Sequence, residues 1–221
     1  LKAFKDAKGS DGMVILAMGL TGHESFKPEL RKILEDRKKS KLTKAAAAIA
    51  CGLVKDKDSA PVMMEMLKKQ SDDPILTPYL ILGLGMVGDV KAIEVIQPLW
   101  EKADKNVISI AYTNMALALS LLGKKQEVLA QLIKHSDPKE GDVLRQYAFH
   151  TMGMLGDRDS GKVFMSAYES EKSDSIKAYI IRGLGFLMEK TQMPLLSELT
   201  GDNNTNVITL IIDHLLPLPA W

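Results

Sequence analysis

The chain is poor in several residue types that particular functional classes require. It has one cysteine, Cys51, so no disulfide can form within the chain, and a single thiol favours a reducing compartment such as the cytoplasm. Aromatic residues make up only 5% of the 221 residues. The sequence shows no apolar run of the roughly 20 residues that a membrane-spanning helix needs, and no signal peptide.

Neither sign of charge dominates the sequence. Its 29 basic and 28 acidic residues give a net charge of +1, which argues against a nucleic-acid-binding surface spread over the whole molecule. The hydrophobic fraction of 46% is that of an ordinary globular protein with a sizeable core. Because the chain begins at Leu1 and not at Met, we expect residues 1–221 to be a single repeat domain of a longer protein.

One short pattern returns six times along the chain. Small and apolar residues are followed by two further apolar residues and then by an abrupt polar turn. The last residue of each copy, called the anchor here, is Gly22, Lys55, Gly88, Gly123, Gly156 or Met188. The anchors are therefore 33, 33, 35, 33 and 32 residues apart. A nearly fixed period in this range predicts a solenoid of stacked units.

Each unit is predicted to contain two helices, the first of which ends at the anchor. Pro28, Pro61 and Pro194 all stand six residues after an anchor, where the first turn of a second helix would tolerate proline. Residues 206–216 have the pattern of one more first helix, and Pro217 follows them. The sequence therefore predicts about six helix pairs and a terminal helix.

Small residues recur at two positions of each first helix. Three residues before the anchors stand Gly19, Gly52, Gly85, Ser120, Gly153 and Gly185, and five before them stand Ala17, Ala50, Gly83, Ala118, Thr151 and Gly183. Glycine costs a helix interior about 0.5–1 kcal/mol relative to alanine, so its repetition predicts a close approach of neighbouring helices. The residues one and two before each anchor are expected to be buried, which would make a charge at Leu20 or Leu155 severely destabilising.

These units resemble short HEAT-like repeats of the kind first described in phycobilin lyases, in which the first helix ends in an Ala-Leu-Gly-x-x-Gly-Asp type of turn. The segments 83–89 and 152–157 match this turn best, and the resemblance covers residues 10 to 216. It implies an all-α fold, a right-handed α-solenoid. It also implies a curved scaffold that binds other proteins, which is what most HEAT-like arrays are.

Three short motifs are candidates for a nucleotide-binding site, a metal site and a nucleophile. Gly83-x-Gly85-x-x-Gly88 has the letters of a dinucleotide fingerprint, but no strand precedes it and it marks the end of a helix, where the dipole disfavours phosphate. His23-Glu24 is similar to one His-Glu step of the HEAT-like deoxyhypusine hydroxylases, whose di-iron site needs several steps. Cys51 stands among small residues and is interpreted as a buried thiol. We therefore predict no metal and no cofactor.

Two further groups of residues have competing interpretations. Residues 37–44 hold the densest basic run and could contact phosphate, although a solvated loop between repeats is favoured. Met63, Met64 and Met66 cluster on one second helix, and Met165 lies on another; methionine suits adaptable binding surfaces, but these four are interpreted as core residues.

The second helices are expected to line the concave face, as they usually do in HEAT-like arrays. The exposed residues on that face, by their offset from the anchors, are predicted to be Arg31, Lys32, Glu65, Lys68, Gln97, Glu101, Ser166, Glu169 and Glu198. This strip is basic near its N-terminal end and acidic towards its C-terminal end, so it would orient a partner of opposite charge.

A secondary candidate patch is formed by His150 and Arg182. They interrupt a register that is apolar in the earlier units, at Leu16, Ile49 and the positions equivalent to them. Because they fall on adjacent repeats, we expect them to lie side by side on a face that the fifth and sixth units expose.

The sequence favours a protein-binding scaffold with no catalytic role and a protein or peptide partner. The alternative is a nucleic-acid-binding module that uses residues 37–44. An enzyme ranks last, because no nucleophile–base pair, carboxylate dyad or metal constellation is visible, although a site assembled from distant repeats stays open.

Overall fold

A computed structural model describes residues 11–104 and 106–187 of the chain. Within these ranges the regular structure is helical, with no strand. The helices are α1 (Asp11–Leu20), α2 (Lys27–Glu35), α3 (Lys41–Leu53), α4 (Ala60–Lys69), α5 (Thr77–Val87), α6 (Ile93–Glu101), α7 (Ser109–Leu119), α8 (Lys125–His135), α9 (Asp142–Met154), α10 (Gly161–Ser170) and α11 (Asp174–Leu187).

The helices alternate between two layers. The odd-numbered helices are the first helices of the repeats and pack side by side in chain order, and each even-numbered second helix packs against the first helix of the following repeat. This arrangement confirms an all-α solenoid, with five helix pairs and the first helix of a sixth in the described ranges. The predicted terminal helix at 206–216, Pro194 and the anchor Met188 lie outside them.

The anchors are the points where the chain leaves each first helix. Gly22, Gly88, Gly123 and Gly156 have φ values of 65°, 78°, 93° and 63°, and Lys55 has a φ of 49°. A left-handed residue directly after a helix reverses the chain and ends the hydrogen-bonded spiral. The polar turn predicted at each of these anchors is therefore confirmed.

Short single turns of 3-10 helix connect most anchors to the second helices. They span Glu24–Phe26, Lys57–Ser59, Val90–Ala92 and Arg158–Ser160. The fourth repeat differs, because a wider π-type turn over Ser120–Lys124 leads directly into α8. Pro28 and Pro61 stand in the first turns of α2 and α4, as predicted.

The small residues of the first helices bring consecutive helices into backbone contact. A Cβ atom added to Gly19 would lie 2.6 Å from the Cα of Ala50, and one added to Gly85 would lie 2.5 Å from the Cα of Ala118. The residue three before one anchor thus faces the residue five before the next, which confirms the predicted close approach. Any larger side chain there would push two helices apart.

The core lies between the two layers. Four before the anchors, Met18, Cys51, Leu84, Leu119 and Met152 are buried, and Leu30, Met63, Ile96 and Phe164 of the second helices, eight after their anchors, join them in one continuous cluster.

Two predictions about burial are wrong. Leu20 is 50% exposed, because the residue two before an anchor lies on the side of the first helix that faces away from the core, so a charge there would not be buried. Met165 is 51% exposed and is not a core residue, whereas Met63 is buried and both Met64 and Met66 pack against the core as predicted. Leu155 is half-buried against the core.

Candidate binding surface

Four positions of each first helix share the side that faces away from the second helices. They stand 13, 9, 6 and 2 residues before the anchor. Because successive residues of an α-helix are rotated by about 100° around its axis, these four positions lie within about 60° of one another. The buried position four before the anchor is on the opposite side of the helix. We call this side the outer stripe. In the described ranges it consists of Met13, Leu16, Leu20, Leu42, Ala46, Ile49, Leu53, Ile75, Tyr79, Leu82, Met86, Ile110, Asn114, Leu117, Leu121, Val143, Tyr147, His150, Met154, Ser175, Tyr179, Arg182 and Phe186.

The outer stripe is largely apolar although most of its residues lie outside the core; Ala46 belongs to the core, and Leu16, Tyr79, Tyr147 and Tyr179 pack against it. Its most accessible large hydrophobic residues are between 42% and 59% exposed, and they are Met13, Leu20, Leu42, Ile75, Leu121 and Val143. They lie mainly at the two ends of the first helices, so the stripe has an exposed apolar edge on each side. Contiguous exposed apolar surface of this kind marks interaction sites on proteins.

The middle row of the stripe is less accessible than its edges. Ile49 is fully buried and Leu82 is 6% exposed, yet neither belongs to the continuous core formed by the described residues. The close spacing of the first helices explains this, because side chains of neighbouring helices crowd together along the centre of the stripe. The middle of the stripe is therefore tightly packed, and its exposed apolar surface lies mainly along the two edges.

The polar residues of the stripe are concentrated in its C-terminal half. Asn114 donates a hydrogen bond of 2.9 Å to the carbonyl oxygen of Pro78 and so links two neighbouring first helices. His150 is only 6% exposed, and the edge of its ring meets Phe186 with centroids 5.9 Å apart. Arg182 is exposed.

The secondary patch predicted at His150 and Arg182 needs correction. The two residues do occupy the same row of the stripe on adjacent repeats, but His150 is buried because the neighbouring helix brings Phe186 against it. The expectation that the fifth and sixth units expose both residues is therefore wrong for His150 and holds for Arg182.

The basic end of the strip predicted on the second helices is partly engaged within the chain. The guanidinium of Arg31 lies 3.3 Å from the carboxylate of Asp56 and 2.8 Å from that of Asp58, both in the turn before α4. Burial raises the pKa of the Asp56 carboxyl, and the facing Arg31 opposes that rise. Arg31 thus ties the first repeat to the second, while Lys32 is well exposed.

The remaining predicted residues of that strip that the structure describes lie on three helices. Glu65 pairs with Lys69 one turn along α4, and Gln97 donates a hydrogen bond of 2.8 Å to Glu101 along α6. Lys68, Ser166 and Glu169 are exposed on α4 and α10. Glu198 lies outside the described residues. The structure places the others on the second-helix side of the array, and their role in binding a partner stays a prediction.

The basic run at residues 37–44 forms the loop between the first two repeats and the start of α3. Lys41 pairs with Asp73 of the loop that follows α4, which neutralises one of its charges within the chain. Arg37 and Lys38 are exposed. This pairing leaves a smaller free positive charge than the sequence alone suggested.

The motifs weighed in the sequence have structural roles. Gly88 ends α5, and Gly83 and Gly85 lie inside that helix against its neighbours. The ring of His23 accepts a hydrogen bond from the backbone amide of Ser25 and caps the short turn that follows. Cys51 is fully buried, and burial raises the pKa of its thiol to about 12. No group of three potential metal-ligating side chains converges anywhere in the two described ranges.

One buried polar pair was not foreseen. The hydroxyl of Tyr112 on α7 lies 2.7 Å from Nδ1 of His135 at the end of α8, and the indole of Trp100 packs on the tyrosine ring with centroids 4.9 Å apart. Burial lowers the pKa of His135 and so favours the neutral form of its ring. The pair satisfies two buried polar groups at the joint of repeats 3 and 4.

Comparison with known proteins gives a likeness in structure. No family model and no curated protein matches the chain. It is similar in structure to a chain of the complex of CpcE and CpcF of phycocyanin lyase from Nostoc sp. PCC7120, with a TM-score of 0.49 and 23% sequence identity over 91% of this chain and 72% of that chain. A likeness of this degree says nothing about activity or partners.

Proposed function

We propose that this chain is a non-catalytic protein-binding scaffold and that the outer stripe is its binding surface. The observation that carries the proposal is that each of the first five repeats exposes at least one large apolar residue of the stripe outside the core. An amphipathic helix in a two-layer array needs only one apolar side, which packs on the other layer. The first helices have a second apolar side, and burying it in a complex would be favourable.

The spacing of the helices supports the same surface. The first helices touch one another through backbone atoms at glycine and alanine positions, whereas the second helices make little contact with one another. An array whose one layer is spaced more tightly bends towards that layer. This favours the first helices as the inner side of the curve, in contrast to the sequence expectation that the second helices line the concave face.

The charged strip on the second helices is a weaker candidate. Several of its charges are paired along their own helix or, as with Arg31, across a joint between repeats. Exposed pairs of this kind contribute little to binding. Replacing Arg31 would also disturb the joint with the second repeat, so that variant would not separate binding from stability.

The proposal predicts that lysines on the outer stripe abolish partner capture. Leu42→Lys combined with Leu121→Lys places two charges on exposed apolar positions of α3 and the turn after α7, so the fold should persist while the apolar contact is lost. In a pull-down from extract of the source cells, quantified by mass spectrometry, we expect specific species to fall by about tenfold or more.

The matched control introduces the same charges at equally exposed apolar positions outside the stripe. Ile133→Lys combined with Met165→Lys changes residues of α8 and α10 that are 43% and 51% exposed. This pair should retain every species that the unmodified chain retains, and circular dichroism should show equal helix content in all three proteins. Retention of the same species by the stripe variant would contradict the proposal.

A further inference from the structure

The outer stripe ends on a positive charge. Arg182 stands six residues before the last anchor, in the middle row of the stripe. Among the described residues of the stripe, it alone carries a full charge. The row before it is apolar from Leu16 to Leu117 and then reaches the buried His150. The two ends of the stripe therefore differ, since one is apolar and the other is positively charged. The proposed function by itself does not depend on this difference.

Arg182 has no partner of its own within the described part of the chain. It is exposed, and none of the carboxylates in that part lies within ion-pair or hydrogen-bond distance of its guanidinium. Two arginines elsewhere behave differently: Arg31 pairs with Asp56 and Asp58, and Arg145 is buried against Glu171. A guanidinium presents a planar fork of donors that fits a carboxylate in a bidentate manner.

The length of the stripe points to a polypeptide occupant. Its exposed apolar residues run from α1 to α9, which is four helix-to-helix steps, or about 32–40 Å at 8–10 Å per step. A helix of about 21–27 residues has that length at 1.5 Å per residue. Arg182 on α11 is a fifth step away, so a helical segment that covers the apolar part of the stripe and reaches Arg182 spans about 40–50 Å, or about 27–33 residues.

We propose that the outer stripe receives an apolar peptide segment that carries a carboxylate near one end, and that this carboxylate pairs with Arg182. The inference rests on the proposed function, since it assumes that the stripe is the binding surface. Pairing fixes the direction in which the segment lies, because its acidic end is placed over repeat 6 and its apolar part over repeats 1 to 5. Contact between apolar groups on either side removes water from the ion pair and makes it selective for a carboxylate.

The test begins with a phage-displayed library of random peptides of about 30 residues, the length of a helix that reaches from α1 to α11. The full chain is the bait, and the enriched peptides are then made synthetically with a fluorescent label. We expect them to be rich in large apolar residues and to carry Asp or Glu near one end. Their binding is measured by fluorescence anisotropy against the unmodified chain, Arg182→Gln, Leu121→Lys and the control Arg37→Gln, which removes another exposed arginine, from the loop after α2.

A double-mutant cycle then decides whether the two charges meet. Changing the peptide's acid to its amide, or Arg182 to Gln, should each weaken binding by about fivefold, and making both changes should weaken it no further than either alone. Arg37→Gln should have no effect. Additive effects, or none, would overturn the pairing, while the proposed function would survive if Leu121→Lys still abolished binding.

Two other outcomes would contradict the peptide inference, and the first of them would also contradict the proposed function. If no enriched peptide lost affinity with Leu121→Lys, the stripe would not be the binding surface, and the proposed function would fail together with this inference. If the chain formed a concentration-dependent dimer that Leu121→Lys dissociated, as measured by analytical ultracentrifugation, the stripe would belong to a second copy of the chain and the peptide inference would be overturned.

Discussion

At the scale of single residues, the anchors carry the turns of the array, and one of them is strained. Gly22, Gly88, Gly123 and Gly156 occupy the left-handed conformation without a Cβ, whereas Lys55 occupies it with a full side chain. A non-glycine residue in this region is disfavoured by roughly 1–2 kcal/mol. The second repeat therefore ends its first helix at a cost that the four first helices ending at glycine avoid.

Replacing Lys55 with glycine should stabilise the protein. Relief of the strain is partly offset by the greater freedom of glycine in the unfolded chain, so we expect a gain of about 0.5–1 kcal/mol in the free energy of unfolding. Urea denaturation followed by circular dichroism measures it. The control Lys57→Gly removes the same type of exposed side chain from the next turn, where φ is not positive, and should give no gain or a loss. Equal effects of the two changes would refute the strain argument.

Single residues also show how far sequence reasoning reaches. The anchors at 22, 55, 88, 123 and 156 could be predicted from the sequence. Four of them are glycine, the residue that a left-handed helix cap favours, and Lys55 stands at the same repeat spacing. The exposure of Leu20 and the burial of His150 could not be found that way, because each depends on which side of its helix meets a neighbour. An apolar side chain predicts that a surface is buried, but it does not show which neighbouring group buries it.

At the scale of helices, the joints between repeats depend on the absence of side chains. Gly85→Ala would place a Cβ 2.5 Å from the backbone of Ala118, so α5 and α7 would have to separate. We expect the free energy of unfolding to fall by about 1–3 kcal/mol, the usual cost of overpacking. Gly185→Ala changes the equivalent residue of α11, where an added Cβ meets nothing within 4 Å.

This second substitution is the matched control and should be neutral or stabilising by up to about 1 kcal/mol, because alanine favours the helix over glycine. Thermal or urea unfolding of the two variants compares them directly. A loss of stability in Gly185→Ala as large as that in Gly85→Ala would show that glycine is needed for some reason other than helix contact.

The helix scale also explains why the candidate surface was missed. The spacing of positions 13, 9, 6 and 2 before each anchor is the i, i+4, i+7, i+11 series of one helix side, and its apolar content can be read directly from the sequence. Of these four positions, the sequence pattern predicts burial for the one two before the anchor, and an apolar helix side is usually buried. The first helices, however, have two apolar sides, and only their packing through Gly19, Gly85 and Gly153 shows which side remains outside the array.

At the scale of the whole molecule, the solenoid has one joint unlike the others. Between repeats 4 and 5 the small residue three before the anchor is Ser120, the helix ends in a π-type turn, and α7 packs less closely on α9 than the other neighbouring first helices pack on one another. The contacts across this joint include a hydroxyl pair, Thr113 and Thr151 at 3.0 Å, and an ion pair of 3.3 Å between Lys125 and Asp157.

An array of this type is stabilised mainly by contacts between adjacent repeats, so it should open first at its weakest joint. We expect α9 to α11 to lose protection together, at a lower urea concentration than α3 to α7, in hydrogen-exchange mass spectrometry of the intact chain. Because the outer stripe crosses this joint, a bound peptide should raise the protection of both blocks towards a common value. Exchange of all helices at one urea concentration without peptide would mean that the joint couples repeats 4 and 5 as firmly as the glycine contacts couple the rest.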